Sequence, residues 1–251
     1  MSDGMTAAQP LLSVRGITKA FSGLTALSDV TFDVPSGQIT GVIGPNGAGK
    51  TTLFNVIAGT FPPTEGQVLF RGEPVTGMPA HQIARTGIAR TYQLMKPFGT
   101  LSVRDNVMIA SLQRTSSMDE AREQADLMVE NVGLERWRHH RADELSTAGR
   151  KRLELARALA LQPQLLLLDE VLAGLVPSER APVLELLSDI RDDGMTMLFV
   201  EHVMAAVMQL SDEIVVLHHG QVLASGTPDA VTRDKDVIEA YLGEEQAIAD
   251  S

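Results

Sequence analysis

The segment Gly44-Pro45-Asn46-Gly47-Ala48-Gly49-Lys50-Thr51-Thr52 constrains this chain more than any other stretch of it. It satisfies G-x-x-x-x-G-K-[ST]. It stands directly after a short branched apolar run, Ile39 to Ile43, and directly before an apolar helical run from Leu53. Glycines there let backbone N–H groups turn inward around a phosphate, where a Cβ would block the approach. The N-terminus of the following helix adds partial positive charge, Lys50 is spaced to reach β- and γ-phosphates, and Thr51 offers a hydroxyl to Mg²⁺. Strand, loop and helix in that order imply an α/β fold.

A second element agrees. Leu165-Leu166-Leu167-Leu168 runs straight into Asp169-Glu170, so a buried strand delivers two carboxylates to its C-terminal edge, where ligands bind in open α/β sheets. Beside a phosphate loop, Asp169 is suited to hold Mg²⁺ through water and Glu170 to polarise an attacking water. Alone, the pair reads equally well as a solvated strand end. A third apolar run, Met195 to Val200, delivers Glu201 and His202. His202 is either a γ-phosphate contact or a satisfied structural histidine; spacing does not choose.

The remaining pattern frames these runs. Residues 11–43 read as strands, with Val14, Ile17, Val30, Phe32 and Val34 alternating with polar neighbours and a turn at Pro35-Ser36-Gly37. A strand pair is expected over Gln67–Val75, turned by Arg71-Gly72-Glu73-Pro74. Helices are expected from about 103 to 162, including Met118–Val132, and again over Ala181–Arg191. Strands alternating with helices imply a mostly parallel sheet covered on both faces.

Composition narrows the function classes. The 251 residues carry a net charge of −11, which argues against broad phosphate neutralisation and hence against a nucleic-acid partner. One basic cluster, Arg136-Trp137-Arg138-His139-His140-Arg141, reads as a local patch or as a solvated helix end. Cysteine is absent, which excludes thiol catalysis and Cys-ligated metal. No apolar run reaches the roughly 18–20 residues that span a bilayer, and Met1–Pro10 lacks the basic start of a signal peptide, so a soluble chain retained inside the cell is expected.

The ordered series of phosphate loop, Arg90-Thr91-Tyr92-Gln93, Leu145-Ser146 heading Arg152-Leu153-Glu154-Leu155-Ala156-Arg157-Ala158-Leu159, Asp169-Glu170 and His202 resembles the ATP-binding cassette (ABC) ATPases. Phe21-Ser22-Gly23-Leu24-Thr25-Ala26-Leu27, Val200-Glu201-His202 and Val237-Ile238-Glu239-Ala240-Tyr241-Leu242-Gly243 are most similar to the ATP-binding subunits of branched-chain amino acid importers. The resemblance implies a P-loop NTPase with a RecA-like, mostly parallel core and an N-terminal antiparallel β subdomain. It also implies an inserted helical subdomain near 94–163 and a C-terminal helix near 227–243. One cassette would span 11–243, between flexible termini at 1–10 and 244–251.

The same resemblance assigns roles. Phe21 takes the place of the aromatic that stacks on adenine, although a strand-end core aromatic is its other reading. Gln93 takes that of a Mg²⁺ and water ligand, His202 that of the γ-phosphate switch, and about 94–107 that of the groove for a membrane subunit's helix. Ser146, Ala148 and Gly149 stand in the signature segment, which in the family caps the nucleotide of a second subunit. There the family usually has Leu-Ser-Gly-Gly-Gln, against Leu145-Ser146-Thr147-Ala148-Gly149 here; Val171 and Val176 also depart, from proline and aspartate. These changes fall on what the chain lends to a partner, so an asymmetric heterodimer is expected, with a homodimer as the alternative. Expected partners are integral membrane permeases and, indirectly, a solute-binding protein, at the cytoplasmic face of the membrane. The competing reading is a soluble regulatory or repair ATPase, or a cassette serving another solute or lipid. A P-loop kinase or GTPase would leave Gln93, Ser146 and His202 unexplained.

Overall fold

The structure is a computed structural model that describes residues 9–91 and 97–241. Gln93, the first part of the expected groove from Leu94, and both chain ends lie outside the described residues.

Two sheets stack around one helix. The first is antiparallel and built from β1 (Leu12–Phe21), β2 (Leu24–Val34), β4 (Glu65–Phe70) and β5 (Glu73–Pro74), in the order β2-β1-β4-β5. The second contains β3 (Ile39–Ile43), β6 (Ile88–Arg90), β7 (Leu165–Asp169), β8 (Thr196–Val200), β9 (Glu213–His218) and β10 (Gln221–Gly226), in the order β10-β9-β3-β8-β7-β6. All its pairs are parallel except β10 with β9. Between the sheets lies α1 (Lys50–Ile57).

Because strand side chains alternate in direction, the apolar runs of the parallel sheet feed two cores. Leu165, Leu167, Leu198, Val200, Val215 and Leu217 face α1 and the antiparallel sheet. Leu166, Leu168, Met197, Phe199, Ile214 and Val216 face the helices on the other side. Those helices are α5 (Thr147–Leu159), α6 (Pro177–Asp192) and α7 (Met204–Leu210), with α3 (Val103–Ser111) and α4 (Met118–Asn131) packed beyond α5. A short helix α2 (Ala80–Thr86) precedes β6. The expected helical region after 103 is therefore present as α3, α4 and α5.

Three boundaries differ from expectation. The turn expected over Arg71–Pro74 contracts to Arg71-Gly72, both at positive φ (53° and 79°), and Glu73-Pro74 becomes an edge strand that needs no proline N–H. The helix expected from Ala181 starts at Pro177, a residue suited to a first helical turn, and Glu179 accepts a hydrogen bond from the Val176 N–H at 3.2 Å. The helix expected over 227–243 is two helices, α8 (Pro228–Thr232) and α9 (235–241). Asp234 Oδ1 accepts from the N–H groups of Asp236 and Val237, so a second N-terminus opens where continuity was expected.

The basic cluster resolves into ion pairs. Arg138 meets Asp126 at 3.1 Å, Arg141 meets Asp143, and His140 lies 3.1 Å from Glu144. The solvated reading of that segment fits these pairs.

A buried ion pair ties three elements together. Arg90, at the end of β6, donates to Asp169 Oδ2 at 2.7 Å and to Asn55 Oδ1 of α1 at 2.7 Å. The side chains of Arg90 and Asp169 are 8% and 3% exposed. Arg90→Met would leave the carboxylate buried beside an apolar stem, and urea denaturation should register a loss of about 3–5 kcal/mol. Arg90→Lys should recover only part of it, because an ammonium lacks the planar fork that serves two acceptors.

The antiparallel sheet carries its own strained point at Gly66 (φ +85°), next to the irregular register of β1 and β4. A Cβ there would stand 2.2 Å from the Gly16 carbonyl oxygen. Gly66→Ala is expected to cost about 1–3 kcal/mol in the same assay.

Candidate active site

Three turns at the C-terminal edge of the parallel sheet build a cleft of about 380 Å³. Phe21, Leu24 and Ala26 line one side, the loop from Asn46 to Thr52 forms the floor, and Glu170 and His202 stand opposite. Phe21 reaches it because β1 and β2 are joined by the tight turn Ser22-Gly23, both at positive φ, which leaves the ring at the hairpin end. Its ring is 42% exposed and meets Phe61 edge to face at 5.3 Å. The strand-end reading of Phe21 holds for its position, and the ring nonetheless opens onto the cleft.

The phosphate loop is shaped by its glycines. At Gly44 (φ +148°) a Cβ would collide with the Leu217 carbonyl oxygen at 2.0 Å, so no other residue fits between β3 and β9 there. At Gly47 (φ +81°) a Cβ would meet nothing within 4 Å, because that residue faces the open cleft. Pro45, Asn46 and Ala48 complete the turn; Asn46 is exposed to the cleft and Ala48 is buried beneath it. Lys50 opens α1, is 6% exposed, and donates from Nζ to the carbonyl oxygens of Gly44 and Pro45 at 2.5 and 2.8 Å. Thr51 is exposed and Thr52 half-buried at the same helix N-terminus. An open concave loop beside a helix N-terminus and a lysine matches a polyphosphate in shape and charge.

Opposite the loop, Glu170 adopts φ +49°, a conformation rare for a residue with a side chain. Its N–H donates to the Val200 carbonyl, and its Oε1 lies 2.8 Å from His202 Nε2. The structure thus brings Glu170 and His202 together in the cleft. Asp169 sits one residue back, at the sheet edge, held by Arg90 and by its own N–H donating to Thr91 Oγ1. Carboxylate and hydroxyl oxygens are hard donors of the kind Mg²⁺ takes. Asp169 and Thr51 are among the described residues whose chemistry fits that ion.

Glu201 is buried, and its two oxygens accept from the Leu172 and His202 N–H groups at 2.7 and 3.2 Å. Burial pushes its carboxyl above the usual carboxylate range, against those two bonds. Neither Glu201 nor Arg90 was singled out from sequence for a role. The available signal was a charged residue adjoining an apolar strand, which demands a partner without naming it.

Ser146, Ala148 and Gly149 do not line the cleft. They form the first turn of α5, where Ser146 Oγ accepts from the Gly149 N–H at 3.1 Å as an N-cap. The expectation for these residues concerns the nucleotide of a second subunit, and within one chain they lie outside the cleft.

The sequence profile described as "ABC transporter" matches residues 27–173, and one described as "Branched-chain amino acid ATP-binding cassette transporter" matches residues 221–247. The chain is 39% identical to the high-affinity branched-chain amino acid transport ATP-binding protein LivG of Escherichia coli K12, over 94% of this chain and 99% of that one. It is 38% identical to BraF of Pseudomonas aeruginosa, of the same description, over the same shares. The ADP conformation of an ATP-binding cassette of an ABC transporter superposes with a TM-score of 0.85 at 30% identity, covering 94% of this chain and 99% of that one. Loop, carboxylate turn and histidine turn, in this order along the chain and at one edge of this sheet, accord with those matches: the chain belongs to the ABC transporter family as a nucleotide-binding ATPase cassette.

Proposed function

We propose that this chain hydrolyses Mg²⁺-ATP to power solute import through separate integral membrane permeases, with branched-chain or other amino acids as cargo. The observation that carries the reading is the convergence of Phe21, Lys50, Glu170 and His202 on one cleft while Ser146 lies outside it. A clamp of two cassettes accounts for both halves of that observation. Each chain supplies a loop and a carboxylate to one ATP and lends the first turn of its α5 to the other. The cargo class rests on the LivG and BraF similarity and on the profile match at 221–247.

Within the cleft, Phe21 stacks on adenine, and the N–H groups of the loop with Lys50 hold the β- and γ-phosphates. Thr51, Gln93 and, through water, Asp169 would hold Mg²⁺, which when bound neutralises charge on the phosphate oxygens. Glu170 polarises the attacking water, and His202 holds the Glu170 carboxylate while facing the γ-phosphate. Closure is driven by tighter ATP binding in the closed clamp than in the open one. Permeases would seat the cassette at the cytoplasmic face of the membrane through the segment near 94–107, with a solute-binding protein acting only through them. Among the described residues no helix is long and apolar enough to cross a membrane; in this reading the force passes to such a partner.

Glu170→Gln should lower ATP turnover on the order of 10²–10⁴-fold while ATP binding persists. Equal loss of binding and turnover would remove Glu170 from the chemistry. Co-purification with a polytopic membrane protein separates the transporter reading from a free-standing ATPase. The family's signature glycine and glutamine are replaced here by Ala148 and Gly149, so the two sites of a heterodimer should differ. Glu170→Gln in this chain should abolish more transport-coupled hydrolysis than the equivalent change in the second cassette. Equal losses would indicate equivalent sites.

A further inference from the structure

Lys151 lies outside the cleft, on the inward face of α5 one turn past Ser146, and it is buried. Its Nζ donates to the main-chain carbonyl of Glu170 at 3.0 Å. The carboxylates of Glu201, Glu170, Asp169 and Glu154 surround it and favour its charge, against burial, which lowers its pKa. Thr147, in the same first turn, approaches Gly174 in the segment that follows Glu170; its Cγ2 would be 3.9 Å from a Cβ placed there.

Glu170 needs such support. A residue with a side chain persists at φ +49° only where its surroundings over-determine that conformation. The contacts that do so include its N–H on the Val200 carbonyl, its carboxylate beside His202 Nε2, and its carbonyl, which accepts from Lys151 Nζ and from the Ala173 N–H at 3.1 Å. The first two belong to β8 and the turn that follows it. The Lys151 bond comes from α5, on the helix-covered face of the sheet, and it is charge-assisted. Without it the Glu170 carbonyl keeps the Ala173 N–H of its own turn but loses its tie to α5, and the carboxylate is held less firmly.

We propose that Lys151 is a positioning residue for ATP hydrolysis: it fixes the main chain of Glu170 so that the carboxylate meets the attacking water. The inference deepens the ATPase reading above and rests on it. Because Lys151 does not itself line the cleft and reaches it only through the main chain of Glu170, it should govern turnover and leave nucleotide affinity alone.

The test compares wild type, Lys151→Met and Lys151→Arg in the full-length chain. Methionine keeps an apolar stem and removes the donor; arginine keeps a cationic donor. Steady-state hydrolysis gives kcat and KM, and mant-ATP fluorescence gives nucleotide affinity independently of turnover. Lys151→Met should lower kcat at least tenfold, with KM and the mant-ATP Kd within twofold of wild type. Lys151→Arg should recover kcat to within threefold. Undiminished kcat in Lys151→Met overturns the inference and leaves the ATPase reading intact. So does a parallel loss of kcat and mant-ATP affinity in both variants, which is the mark of a residue that only supports the fold. A wild-type chain that neither binds mant-ATP nor turns over ATP overturns the ATPase reading, and the inference with it.

Discussion

The site depends on the parallel register of three strands. Val42 of β3 pairs with Val200 of β8, and Val200 pairs with Asp169 of β7, so these three residues form one row across the sheet. The turns that leave that row begin within two residues of it. They deliver Gly44 and the phosphate loop from β3, Glu170 from β7, and Glu201 with His202 from β8. A slip of one residue in either pairing would exchange the two cores, because alternate side chains of every strand feed opposite faces. The burial that fixes the register of Leu165–Leu168 and Thr196–Val200 therefore also sets the distance between the Glu170 turn and the loop at 44–52.

Charge is managed locally against an unfavourable total. A chain of net charge −11 must collect an anionic nucleotide, and in the proposed function it does so with oriented N–H groups and Lys50 at a helix N-terminus. The carboxylates behind the cleft pose the harder problem, because Asp169 and Glu201 are both buried. Each is satisfied by a different part of the fold. Arg90 comes to Asp169 from the edge strand that leads toward Gln93, main-chain N–H groups come to Glu201, and Lys151 comes to the whole group from α5. Partnering of buried charge thus doubles as attachment: it ties the helical layer and the edge strand to the turn that carries Glu170.

Sequence disclosed the elements whose signal is local. The phosphate loop carries its meaning in consecutive residues, and four leucines followed by two acids specify a buried strand with a polar end. Alternation in 11–43 located the strands because one face of the antiparallel sheet is buried. What stayed illegible was pairing over distance. Nothing near Arg90 in the chain points to Asp169, and nothing near Lys151 points to the carbonyl of Glu170. The single helix near 227–243 that the family resemblance implied is divided by a local signal, because Asp234 caps a new helix. The position of Gln93 remains a matter of sequence, since it lies outside the described residues.

The unusual signature segment becomes intelligible once its packing is separated from its surroundings. Ala148 is partly buried against the core on the inner face of the sheet, where its methyl group has apolar neighbours. Gly149 stands close to Leu145: a Cβ there would come within 3.3 Å of the Leu145 side chain, so glycine removes a tight contact. The Ser146 cap is intact, and α5 still presents Lys151 to Glu170. Within its own chain the segment is therefore well accommodated, and the chain's own cleft is built without it. A cost of the extra methyl group can appear only where this helix N-terminus faces something outside the chain. That places any asymmetry of function at the junction between cassettes, and it leaves the machinery around Glu170 free to remain complete.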